Sequence, residues 1–165
     1  MDEENEANQR GFDMIIIRQN ELYWGDFYFL IGEVEKRGSR PWVWQDYIRY
    51  YPEKFARMMP KSVLQSNWYN LTDFDKPQTN KSVKAYVDLE TLGYDQVPGG
   101  SNYFKNTEKC MFNNVKFCTE NVSDQRLLGL IQSPWKHTIE ENRQPILASI
   151  GQIGEAKKWF DENHK

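Results

Sequence analysis

The run Ser62-Val-Leu-Gln-Ser-Asn-Trp-Tyr69 moves from apolar residues into amide and aromatic ones within eight positions. A buried strand carrying polar and flat aromatic groups at its C-terminal end reads this way. Three other segments repeat the pattern: Arg40-Pro-Trp-Val-Trp-Gln-Asp46, Tyr94-Asp-Gln-Val-Pro-Gly-Gly-Ser-Asn-Tyr103 and Leu127-Leu-Gly-Leu-Ile-Gln-Ser-Pro-Trp135. A β/α barrel builds its ligand pocket by delivering such groups from the C-terminal ends of its parallel strands. Four short strands are therefore expected, near residues 40–45, 62–67, 94–98 and 127–132.

Helical segments separate them. Tyr23, Phe27, Leu30, Ile31 and Val34 recur at helical spacing and are followed by Lys36-Arg37-Gly38, predicting a helix from about Gln19 to Arg37. A helical stretch is expected near Pro52 to Met59, and Ala85, Tyr86, Leu89 and Leu92 mark a helix stopped by Gly93. Asn106 to Glu120 carries an apolar face of Cys110, Met111, Val115 and Cys118. Thr138 and Glu141 fit a capping box, and Pro145 suits the first position of a last helix with Ile146, Ile150, Ile153 and Phe160 inward. Alternating strands and helices predict an α/β fold with a parallel sheet. The expectation is one domain over residues 1–165: half of a (β/α)8 barrel, because the 165 residues fall short of the roughly 250 typical of a closed one.

Composition narrows the function classes. The net charge is -3 and no basic patch is visible, which argues against nucleic acid. No run approaches the length of a membrane span, and the opening Met-Asp-Glu-Glu-Asn-Glu is acidic where a signal peptide is basic and then apolar. As written the chain reads as cytoplasmic. Cys110 and Cys118, eight apart on one helix, are separated by roughly 12 Å and predict two free thiols. His137 and His164 are too few and too far apart for a metal site, and no cofactor motif is present. Gly99-Gly100-Ser101 lacks the Lys-Ser/Thr pair of a phosphate loop and reads as a substrate loop or simple turn. Arg18 and Arg40 suit ion pairs with Glu33 or Glu35.

Aromatic residues make up 15% of the chain, with six Trp, against a mean hydropathy of -0.82. Some rings are then expected at the surface, where sugar stacking is one use. Trp44, Trp68 and Trp135 are the candidates for sugar contact, with Trp42 assigned to the core, the commoner place for tryptophan in a strand. Asp46, Asn67, Tyr69, Asp95 and Asn102 suit hydrogen bonds to hydroxyls, and equally suit capping of the next helix or turn.

Arg40-Pro-Trp-Val-Trp-Gln-Asp-Tyr47, Met59-Pro-Lys-Ser-Val-Leu-Gln-Ser-Asn-Trp-Tyr69 and Leu128-Gly-Leu-Ile-Gln-Ser-Pro-Trp135 together resemble the C-terminal half of glycoside hydrolase family 20-like barrels, β-N-acetylhexosaminidase-like proteins often described as sugar hydrolases or Tat-pathway secreted proteins. The resemblance covers nearly the whole chain and implies action on, or binding of, β-linked N-acetylhexosaminides. It places Asp2 and Glu3 at the family's acid pair, Glu3 as general acid and Asp2 orienting the 2-acetamido group. It also leans toward export. Met1 directly precedes that pair, so the strand holding it is expected to be missing. The alternatives are a non-catalytic carbohydrate-binding or interaction half-barrel paired with a second copy or a separate N-terminal half, and a truncated fragment without activity of its own.

Overall fold

A computed structural model describes residues 21–164, and the chain falls into two compact units, Met1–Pro41 and Trp42–Lys165. In the first, helix α1 (Glu21–Glu35) forms inside the expected Gln19–Arg37 span. Its aromatic residues meet one turn apart, with Tyr23 and Phe27 stacked at 5.8 Å between ring centroids. The helix ends as Gly38 takes φ of 72° and donates to the Glu35 carbonyl at 2.9 Å. Glu33 pairs with Lys36 at 2.7 Å and Arg37 at 2.9 Å, partners one turn along the chain that the expected Arg18 and Arg40 pairing overlooked. Arg18 lies outside the described residues. Those two cations hold the Glu33 carboxyl below the usual carboxylate range.

The second unit runs β1 (Trp42–Trp44), α2 (Tyr47–Tyr50), α3 (Pro52–Met58), β2 (Leu64–Ser66), α4 (Lys81–Thr91), β3 (Gly99–Gly100), α5 (Cys110–Asn121), β4 (Ile131–Gln132), a 3₁₀ turn (Glu140–Asn142) and α6 (Arg143–Asn163). The fold class is mixed α/β, as expected, and every strand pairing is parallel. β1 pairs with β2, Trp42 opposite Leu64 and Trp44 opposite Ser66, and β3 pairs with β4, Gly99 opposite Ile131. Single parallel bridges, Gln65 to Gln96, Trp68 to Gly99 and Gln96 to Leu127, place the four segments side by side in chain order.

Regular strand is shorter than expected. Only two or three residues of each segment qualify, in two separate two-stranded sheets where one continuous four-stranded sheet was expected. Two local causes act on the third and fourth segments. Pro98 has no N–H to donate. Gln96 lies opposite Leu127 but Gly99 lies opposite Ile131, so the fourth segment carries one extra residue over that interval, as in a bulge. The third strand was also misplaced: Gly99 and Gly100, read as a loop or turn, are the strand itself. A side chain at either would crowd its neighbours, since a Cβ on Gly100 would lie 3.0 Å from Met111 Sδ and 3.4 Å from Cys110 Sγ.

Helix ends follow local chemistry. Asn80 Oδ1 accepts from Ser82 and Val83 N–H at the start of α4, and Gly93, with φ of 79°, ends it. The expected Thr138–Glu141 capping box does not start the last helix. Glu140–Asn142 form a 3₁₀ turn, α6 begins at Arg143 ahead of Pro145, and no side chain caps either start. An ion pair between Arg143 and Glu140, 2.8 Å, spans that junction.

By strand alternation, Val43, Gln65, Asn67, Gln96 and Gly100 share one face of the ladder, and Trp42, Trp44, Ser66, Trp68 and Gly99 share the other. The core lies on the first face. One cluster joins Tyr69, Phe74, Val83, Tyr86, Phe117, Cys118 and Val122, and another packs Met111, Val115 and Ala156 against Leu130, Ile153, Trp159 and Phe160. Burying each large apolar side chain there stabilises the fold by roughly 1.5–3 kcal/mol.

Candidate functional site

The C-terminal ends of β1 and β2 meet around a buried cation. Arg49, on the single turn of α2, donates to Asn67 Oδ1 from Nη2 at 2.8 Å and from Nε at 3.3 Å, and also donates to the Trp68 carbonyl. Its guanidinium carbon lies over the Trp68 ring, 4.3 Å from the ring centre, so the indole face is held against a hydrogen-bonded cation. Asp46 Oδ1 sits 3.5 Å from Nη1. Burial lowers the Arg49 pKa while the Asp46 charge opposes that shift. Asn67 turns its other end inward, donating to the Ser82 carbonyl at 2.7 Å, so both ends of its amide are committed to the fold.

The uncovered face carries the other rings. Trp42 and Trp44 remain 51% and 45% exposed, so Trp42, assigned to the core from sequence, shares the open face with Trp44. Trp42 Nε1 donates to Ser66 Oγ at 2.7 Å, and that hydroxyl donates to the Val97 carbonyl at 2.6 Å. A Cβ on Gly99 would lie 3.0 Å from Trp44 Cζ3 and 3.4 Å from Trp68 Cβ, which puts Gly99 beneath both side chains. The absence of a side chain there lets the Trp44 ring lie across the neighbouring strands.

The remaining sequence candidates divide. Tyr69 is buried, its hydroxyl donating to Asp73 Oδ1 at 2.5 Å, and burial and that bond push its pKa up to about 12. Asn102 Nδ2 donates to the Pro145 carbonyl at 3.0 Å, tying the third segment to α6, while its Oδ1 is buried with no hydrogen-bond partner. Asp95 lies at the other end of the ladder, where its carbonyl accepts from Gln65 N–H at 3.1 Å. Trp135 is 59% exposed and takes φ of 50°, the left-handed region that a bulky residue enters only at a cost of order 1–3 kcal/mol. Nearby in sequence, Lys136 Nζ stands 4.9 Å from the Tyr103 ring. Trp44, Asp46 and Trp68 thus gather around the first two strand ends, Trp135 stands on the loop after the fourth, and Tyr69, Asn67 and Asn102 serve packing. Asp2 and Glu3 lie outside the described residues.

Sequence reasoning missed Arg49 and a row of buried amides. Gln45 Nε2 donates to Gln65 Oε1 at 3.1 Å, Gln45 Oε1 accepts from Ile48 N–H, and Gln96 Nε2 donates to the Tyr86 carbonyl at 3.0 Å. The signal was a glutamine recurring once per strand segment, at Gln45, Gln65, Gln96 and Gln132. Neither cysteine is poised for nucleophilic chemistry. Both thiols are buried and donate, Cys110 to the Tyr69 carbonyl and Cys118 to Asn114 Oδ1, and burial pushes both pKa values up. Among the described residues no group of three or more His, Cys, Asp or Glu is arranged to hold a metal. No described helix is long and apolar enough to cross a membrane. An apolar groove of about 280 Å³, lined by Pro52, Ala56, Lys84 and Leu92, lies between α3 and α4 and includes none of the strand-end residues.

No family model, curated protein or solved structure matches the chain.

Proposed function

We propose that the four parallel segments are half of a β/α barrel and that the C-terminal ends of its strands bind carbohydrate without cleaving it. One observation carries the reading: Trp68 is an indole immobilised on Arg49, 4.3 Å away, with Trp44 close beside it on the uncovered face. A pyranose presents an apolar C–H face that stacks on such a plane, and a ring already held still loses little side-chain entropy on binding. Asp46, partly exposed beside Arg49, is an acceptor for sugar hydroxyls. The ligand class, β-linked N-acetylhexosaminides, comes from the family 20-like resemblance. Hydrolysis would need the Asp2–Glu3 pair and has no support among the described residues.

The test is a calorimetric titration of the full chain with an N-acetylglucosamine trisaccharide and, in parallel, a glucose trisaccharide. Binding of the first, weakened about tenfold in Trp68→Ala, a loss of roughly 1.4 kcal/mol, is expected. Absence of binding to both sugars overturns the proposal.

A further inference from the structure

Two features of the ladder remain unmatched by the helices packed on it. Among the described residues nothing pairs with the outer edge of β1 or of β4. Gln45 N–H donates to Ser66, so by alternation Val43 also faces β2, and the backbone groups of Trp42 and Trp44 face away from it. On the fourth segment, Ile131 and Ser133 N–H donate toward the third, leaving Leu130 and Gln132 pointing outward. The face opposite the helices bears Trp42, Trp44 and Leu128, each about half exposed. Beside β4, α6 buries Ala156 against α5 yet leaves Leu147 and Ile150 exposed, so this helix is apolar on a second side.

We infer that a second copy of this chain closes the ladder, the fourth segment of each copy pairing with the first of the other. A two-fold axis running along the strands preserves their direction, so both new pairings are parallel, like those within each copy. Four segments and four segments make the eight of a closed barrel, which removes every edge at once. The uncovered rings then face inward, with Trp42 toward the interior and Trp44, the last residue of β1, at the mouth formed by the C-terminal strand ends. Trp42, Trp44, Leu128, Leu147 and Ile150 together expose on the order of 500 Å², and a stable interface buries roughly 800 Å² per partner, so face, edges and α6 flank are of the right size in combination. This inference rests on the half-barrel part of the proposed function and not on the sugar.

Light scattering on the full chain during size exclusion, from about 1 to 100 μM, tests it without any ligand. A mass twice the 19.7 kDa of one chain is expected, falling to one chain in Trp44→Glu and in Leu128→Glu, with the dissociation constant raised at least 100-fold and helical circular dichroism retained. The two variants act at separate strands, so one that misfolds leaves the other to decide. A monomer across that range overturns the inference. A dimer unchanged by the folded variants overturns it too, since the contact would then lie elsewhere. Sugar binding by a monomer would leave the carbohydrate reading standing alone.

Discussion

Replacing Asn67 with Leu tests whether the buried Arg49 is held as the geometry states. The substitution removes the acceptor of two guanidinium bonds, at 2.8 and 3.3 Å, and the donor to the Ser82 carbonyl at 2.7 Å. Arg49 keeps the Trp68 carbonyl and the Asp46 carboxylate at 3.5 Å, so its charge is left partly unpaired in a site with little water. Both guanidinium contacts fall on the one Oδ1 atom, so they count as a single charged interaction of roughly 1.5–3 kcal/mol, and the neutral bond adds roughly 1, giving a cost of about 2.5–4 kcal/mol. At this chain length that lowers the melting temperature by roughly 10 °C. Urea unfolding followed by circular dichroism and tryptophan fluorescence measures it. Because the bonds are shared, Arg49→Met combined with Asn67→Leu should destabilise by at least 1 kcal/mol less than the two single changes added together. A cost for Asn67→Leu below about 1 kcal/mol, or strict additivity, would refute the account of Arg49 as a cation satisfied by that amide.

Two further outcomes concern buried titratable groups. Cys110 and Cys118 should react with a thiol reagent at pH 8 only after unfolding, because each donates its proton inside the core and burial disfavours both thiolates; two fast-reacting equivalents in native protein would contradict this. Tyr69 holds its proton up to about pH 12 when folded and releases it from 10 when unfolded. Its contribution is therefore complete below pH 10 and declines as pH rises toward 12, where the unfolded chain has already ionised. In Tyr69→Phe the stability curve should fall less steeply over that window, and an unchanged slope would count against the assignment.

The helices were legible because their signals are local. Gly38 and Gly93 stop α1 and α4 where the sequence places them, both at positive φ. The last helix was misjudged because Pro145 is compatible with several positions in a first turn, while an Arg143–Glu140 pair and a 3₁₀ turn fix the start two residues earlier. The four strand segments, their parallel pairing and their chain order were visible in the repeated apolar-to-polar pattern. What escaped was how little of each becomes regular strand, because that depends on register between segments far apart in sequence. Trp44 and Trp68 share the uncovered face of the ladder, which follows from alternation along each of their two strands. At Asn67 and Asn102 the sequence left two roles open, since an amide near a strand end bonds a helix backbone as readily as a ligand, and the two side chains donate to the backbone carbonyls of Ser82 and Pro145. Arg49 was overlooked because a lone arginine on a one-turn helix gives no hint that an indole will lie over it.

The additional residue between Leu127 and Ile131 makes the last quarter of the ladder depend on counting. Deleting any one of Leu128, Gly129 or Leu130 would place Ile131 three positions after Leu127, as Gly99 is after Gln96, so the bulge would close while Ile131 stayed opposite Gly99 and on the same side. Loss of a second residue would leave Ile131 two positions after Leu127 and reverse the strand beyond it, so natural variation there should accommodate a gap of one residue and avoid a gap of two.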